Sequence, residues 1–248
     1  MKSLTKLMIL ATIIFSTLML TSCLINIPNR IVGEGDIITD TLSVADFSGI
    51  NLATVPNVTI KQGTTQLVRA IGYANIIEKV KTDVSNNIWT IKFQEGYFYS
   101  KINLSIEIIV PDISSITSSS TGNIIVENFN NQNTLTLSTS STGDITINNF
   151  EGISELEASI SSVGSIKANE DITSLSDLDV NISSSGNFNG FPITSENCTL
   201  SVSSSGNAKI TANNTLDVTI SSSGNVYYKG NPSITQNITS SGRLINSN

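Results

Sequence analysis

Apolar and polar residues alternate in short runs that recur through the second half of the chain. One run places Leu135, Leu137, Thr139, Ser141, Gly143, Ile145 and Ile147 on one parity. Others give Leu156, Ala158, Ile160, Ser162, Gly164, Ile166 and Ala168, then Leu178, Val180, Ile182, Ser184, Gly186 and Phe188. Alternation of this kind predicts strands with one buried face. The stripe crosses each Ser-x-Gly without changing parity. The pattern therefore predicts a strand that bends at the glycine instead of stopping, with a glycine tolerant of a kink.

The runs are copies of one unit. Its glycines are Gly122, Gly143, Gly164, Gly186, Gly206, Gly224 and Gly242, spaced 21, 21, 22, 20, 18 and 18 residues apart. A fixed period near 20 marks stacked units, none of which can bury its apolar face alone. Such a unit is too short for a strand–helix–strand crossover, which needs about 30 residues. It suits one coil of a right-handed parallel β-helix, the hand following the crossover rule, with coils ~4.8 Å apart. The expected fold is all-β: residues 33–248 form one β-helical domain, with irregular capping coils over 33–115 and regular coils over 116–248. One helix-like segment, Tyr73 to Lys81, interrupts the first part.

On the outward parity, the coil alignment stacks Asn123, Asp144, Ser165, Asn187, Asn207, Asn225 and Arg243 into a polar column. Asn and Ser satisfy turns in solenoids; the same flat face could also hold a glycan, a protein or ice. The alignment also sets Glu155 beside Asp177 and Glu157 beside Asp179. Four carboxylates so placed repel one another and form either a solvated acidic face or a weak Ca²⁺ site. No other cofactor is expected. Tyr97, Phe98 and Tyr99 lie between two strand-like runs, where aromatic rings cover an open solenoid end or stack on sugars. Trp89, Ile91 and Phe93 share one parity and are expected in the core.

The front end differs in composition. Lys2 and Lys6 precede an apolar stretch from Leu7 to Leu20, then Leu20-Thr21-Ser22-Cys23. Residues 1–22 read as a lipoprotein signal peptide and 23–32 as a tether, with Cys23 as the lipidated residue at the new N-terminus. Leu24 after the cysteine argues against retention at an inner membrane, which points to the outer membrane of a Gram-negative bacterium. Cys198, on the inward parity with Leu200 and Val202, is left as a buried thiol. Removing Lys2 and Lys6 from 13 basic residues leaves 11 against 20 acidic ones, a net −9. That opposes binding to nucleic acid.

No histidine occurs in the chain. Triads built on histidine and histidine metal sites are thereby excluded. A polysaccharide-acting enzyme would need carboxylates set across a sugar bond or clustered with Arg or Lys, and the sequence presents no such set.

Taken together, Gly33-Glu34-Gly35-Asp36, Phe47-Ser48-Gly49-Ile50-Asn51, the seven glycine units and the closing Val226-Tyr227-Tyr228-Lys229-Gly230-Asn231-Pro232 resemble the putative auto-transporter adhesin, head GIN domain family of bacterial envelope proteins. The resemblance implies a β-helical fold, often on a lipoprotein, with adhesion suggested and no catalytic residues to transfer. The family favours Ser-Gly-Ser-Gly-Asp; here the first glycine is usually Ser and the acid usually Asn. Ala53 to Asn57 has lost the glycine of its copy. The expected function is a lipid-anchored surface module that binds glycan or protein without catalysis; the alternative is a β-helical envelope enzyme acting on polysaccharide.

Overall fold

The computed structural model describes residues 29–130 and 132–248. The signal segment, Cys23 and the tether up to residue 28 lie outside the described residues; the end of the tether, Arg30–Val32, is a strand rather than a free linker. Within them, parallel strands stack coil on coil, and each coil contributes to two main sheets.

The first sheet runs through the strands Ile88–Ile91, Gly49–Leu52, Ser115–Ser118, Thr134–Thr139 and Glu155–Ile160, all parallel. It continues in parallel through residues 177–182, 197–202, 215–220 and 233–238. The second sheet carries Asn57–Gln62, Ile124–Asn130, Ile145–Glu151 and Ile166–Ala168, again parallel. Above them lie residues 187–189, 207–211, 225–229 and 243–246. A narrower third side forms where Ile172 meets Ile193 and Thr194 meets Thr211. Inward residues of all faces make one continuous core, from Phe47 and Trp89 to Ile220 and Val226.

The parity read from sequence holds: Leu156, Ala158, Ile160, Ile166 and Ala168 are buried, as are Leu178, Val180, Ile182 and Phe188. Each strand nevertheless stops at the Ser-Ser-x-Gly, where a bend had been expected. Thr134–Thr139 ends before the corner, and Ile145–Glu151 begins after Gly143. The corner amides bond to the coil below instead, as in Gly164 N–H to the Ser141 carbonyl (2.9 Å) and Gly186 N–H to that of Ser162 (2.8 Å).

The seven glycines align in a column, for a reason other than kink dihedrals. None of them has positive φ. A Cβ on Gly143, Gly164, Gly186, Gly206, Gly224 or Gly242 would instead run into the carbonyl oxygen of the glycine one coil below. Pro56 supplies that carbonyl beneath Gly122, so Gly122 meets the same limit although the copy below it has no glycine.

The outward column beside the glycines is a ladder of side chains bonded to backbone. Asn57 Oδ1 accepts from the Asn123 amide (3.1 Å), Asn123 Oδ1 from Asp144 (3.0 Å), and Asp144 Oδ1 from Ser165 (2.8 Å). Asn187 Oδ1 accepts from the Asn207 amide (3.2 Å) and Asn207 Oδ1 from Asn225 (3.0 Å). A second ladder marks the next corner in the early coils. Asn128 and Asn149 adopt φ of 62° and 52°, and Asn149 Nδ2 donates to Asn128 Oδ1 at 2.8 Å. The short polar side chain makes asparagine tolerant of this left-handed region. Just inside, Phe129 and Phe150 stack with centroids 5.4 Å apart.

The N-terminal part caps the rod with antiparallel pairs. Ile37–Thr41 pairs with Leu67–Tyr73, which pairs in turn with Leu104–Val110. The helix-like segment is one turn, Ala74–Ile77. It is ended by Val80, which bridges Phe93, and by Lys81, whose amide bonds to the Lys92 carbonyl. β-Branched Ile76, Ile77 and Val80 are buried under this cap. The stacking order departs from chain order. The coil of residues 49–62 lies between Ile88–Ile91 and Leu104–Val110 on one side and Ser115–Asn130 on the other.

Candidate functional site

The acidic residues occupy the predicted register on the first sheet. Glu155 pairs with Asp177 and Glu157 with Asp179, and all four are exposed. They line a trough of about 260 Å³ together with Asn197 and Thr199. Asn197 Nδ2 donates to Asp177 Oδ1 (3.1 Å), and the Thr136 hydroxyl lies 3.5 Å from Glu157 Oε2. One coil beyond Thr199, Asp217 extends the same column. Among the described residues, no group of three or more acidic or cysteine side chains is placed to hold a metal ion.

The second sheet presents different chemistry. Outward from its core, Lys167 pairs with Asn189, Asn189 with Lys209, Lys209 with Tyr227, and Asn225 with Arg243. A broad groove of about 680 Å³ runs along it, lined by Asn187, Asn189, Asn207, Lys209, Asn225 and Tyr227. Phe191, two residues beyond Asn189, has Lys229 Nζ 4.7 Å and Lys209 Nζ 5.9 Å from its ring centroid. Sequence reasoning missed this groove. The signal was available in the repeat alignment: the column two residues after Ser165, Asn187, Asn207 and Asn225 reads Lys167, Asn189, Lys209 and Tyr227.

The remaining residues singled out from sequence are also placed. Tyr99 stacks on Phe93 with centroids 4.5 Å apart, and its hydroxyl donates to the Gln94 carbonyl (2.8 Å). Tyr97 sits beneath Lys79 Nζ, 5.3 Å from its centroid. Phe98, by contrast, is 60% exposed. It faces Arg30 in the small parallel pair of Arg30–Val32 with Phe98–Ser100. Trp89 is fully buried and donates from Nε1 to the Lys81 carbonyl (3.0 Å). Cys198 is buried and unpaired, and its thiol is pushed up to about 12 by burial first and by the Asp179 carboxylate second.

Strands in fixed register, side-chain ladders between coils and two open polar faces define a parallel β-helix that displays its residues on its outside. The chain belongs to the putative auto-transporter adhesin, head GIN domain family, whose model matches residues 46–232. Solved structures share the fold. A putative adhesin from Bacteroides fragilis has 19% identity and a TM-score of 0.79, covering 88% of this chain and 100% of its own. A putative lipid binding protein from Parabacteroides distasonis has 18% identity and a TM-score of 0.69, covering 89% and 100%. A putative adhesin from Parabacteroides merdae has 17% identity and a TM-score of 0.68, covering 89% and 100%. No curated protein matches.

Proposed function

We propose that this chain is a non-catalytic adhesion module, held to a bacterial envelope membrane by lipid on Cys23 and binding glycan or protein through its open faces. The observation that carries the reading is the register of those faces. Parallel pairing sets each outward residue over its counterpart one coil below, so the module presents rows of Asn, Thr, Ser and charged groups at the ~4.8 Å coil spacing. The family membership and the adhesin-like neighbours support surface binding. The polysaccharide-enzyme reading has less support. From residue 111 onward the basic residues are Lys167, Lys209, Lys229 and Arg243. All four sit on the second sheet, so none stands beside the carboxylates of the first.

The lipid anchor rests on Leu20-Thr21-Ser22-Cys23 and the apolar stretch before it. The outer membrane fits Leu24, the residue after the cysteine. The test is a strain expressing the full chain or Cys23→Ala, scored for membrane fractionation and for attachment of cells to glycan- and protein-coated surfaces. The expected result is loss of both properties in Cys23→Ala. Unchanged membrane partition would remove the anchor, and equal attachment by a deletion strain would remove the adhesion role.

A further inference from the structure

The first sheet of the regular coils and the later coils of the second carry opposite charge. The first sheet displays Glu155, Glu157, Asp177, Asp179 and Asp217. The second displays Lys167, Lys209, Lys229 and Arg243. Its own carboxylates, Glu127, Asp144 and Glu151, lie on the coils before Lys167, and Glu127 is taken up by Lys61 at 2.8 Å. Exposed Glu170 and Asp171 follow at the corner, between the rows where Lys167 meets Asn189 and Ile172 meets Ile193. Net charge hides this separation, since the whole chain is acidic.

We propose that the groove on the second sheet binds an anionic polysaccharide, a chain of carboxylate-bearing sugars laid along the axis of the solenoid. This inference rests on the adhesion reading and names the ligand class of one face. Three features carry it. First, the ammonium groups of Lys209 and Lys229 converge on one side chain, Phe191. Among the described residues neither they nor Lys167 and Arg243 form an ion pair with a carboxylate. Two cations near one ring and outside any ion pair are free to take an external anion through charge-assisted hydrogen bonds.

Second, the groove floor sets amides around Lys209. Asn187, Asn189, Asn207 and Asn225 line it, and a side-chain amide both donates and accepts, as sugar hydroxyls require. Half-buried Tyr227 and Phe191 add aromatic surface for the apolar side of a sugar ring. Third, the rows repeat at the ~4.8 Å coil spacing, so a polymer with an anion on successive rings meets cations on several coils at once. A second copy of this chain offers an anionic surface too, its acidic face. That face is itself a trough, and two concave surfaces leave the charges apart.

The test uses the full chain in detergent, titrated with polygalacturonate and, as the neutral control, dextran. Polygalacturonate is expected to bind and to weaken with added NaCl, while dextran does not bind. Lys209→Gln/Lys229→Gln should lower affinity by about tenfold or more. Lys209→Arg/Lys229→Arg should keep it, and Asp177→Asn/Asp179→Asn, on the other face, should leave it unchanged. Melting curves would verify that each variant is folded. Wild-type affinity in the Gln variant, equal binding of dextran, or absence of polygalacturonate binding would each overturn the proposal. So would salt-dependent self-association, or capture by phosphatidylglycerol vesicles in place of the polymer, if either is lost in the Gln variant. The cell-attachment assay separates the two readings. Attachment that persists in Lys209→Gln/Lys229→Gln removes only the ligand class. Polygalacturonate binding without any attachment removes only the adhesion role.

Discussion

A methyl group added at Gly186 has nowhere to go. It would press on the Gly164 carbonyl, with Ile160 Cγ2 2.5 Å away and the Ser162 carbonyl 2.7 Å away. Backbone on one side and core on the other leave no flexible neighbour to yield. Gly186→Ala is expected to cost about 1–3 kcal/mol, the range for overpacking. At Gly35, φ is 89° with open space around it, so Gly35→Ala meets dihedral strain alone. Urea titration of the two variants separates close approach from backbone strain. The inward and outward sides differ as sharply. Ile182 is fully buried and Ser185 exposed, so Ile182→Asp should cost about 3 kcal/mol or more and Ser185→Asp little. Similar melting of the two would reverse the assignment of faces. Cys198 supplies a titration. Its folded-state pKa is raised, so above the ordinary thiol value the unfolded chain sheds a proton that the folded chain keeps. Stability should fall as pH rises from there toward about 12. In Cys198→Val that slope, measured by denaturant midpoints across alkaline pH, should flatten.

At the scale of strands, the register of the acidic columns puts like charges side by side between coils. Glu157→Gln/Asp179→Asn should raise the melting temperature by a degree or two, roughly what relief of a few tenths of a kcal/mol gives. Coupling between the two positions in a double-mutant cycle would measure their contact. The same melts with added Ca²⁺ test chelation: a rise in wild type that the double variant abolishes would assign the carboxylates to a cation. Much of this was legible in the sequence, because strand alternation and a steady period fix both the face and the neighbour of each residue. Glu155 meets Asp177 for the same reason that Leu156 meets Leu178. What escaped were features set by corners and partners. The strand break at Ser140–Asp144 leaves the parity intact, so alternation cannot reveal it. The turn at Asn149 depends on a left-handed backbone that many polar residues imitate in sequence. The antiparallel cap has no repeat to align, and the helix-like run after Tyr73 was cut short by contacts with Phe93 and Lys92 distant in sequence. The basic groove used the same period as the acidic patch but was masked by a net negative charge.

At the scale of the whole molecule, the out-of-order coil sets the sequence of events in folding. Residues 49–62 need neighbours from both 88–110 and 115–130, so this end closes long loops before it gains contacts, which is slow. From Thr134 onward each strand lands on the one just made, and each addition is local. Ile60, fully buried in the early coil, and Val218, fully buried near the far end, should then behave differently in stopped-flow kinetics. Ile60→Ala is expected to slow folding, whereas Val218→Ala should chiefly speed unfolding. Equal effects on the two rates would deny this nucleus. A chain threading across a membrane with its N-terminus leading would thus deliver its slowest-closing coil first and hold it open until residue 130 has emerged. After that point the finished end serves as a template, and assembly can keep pace with export.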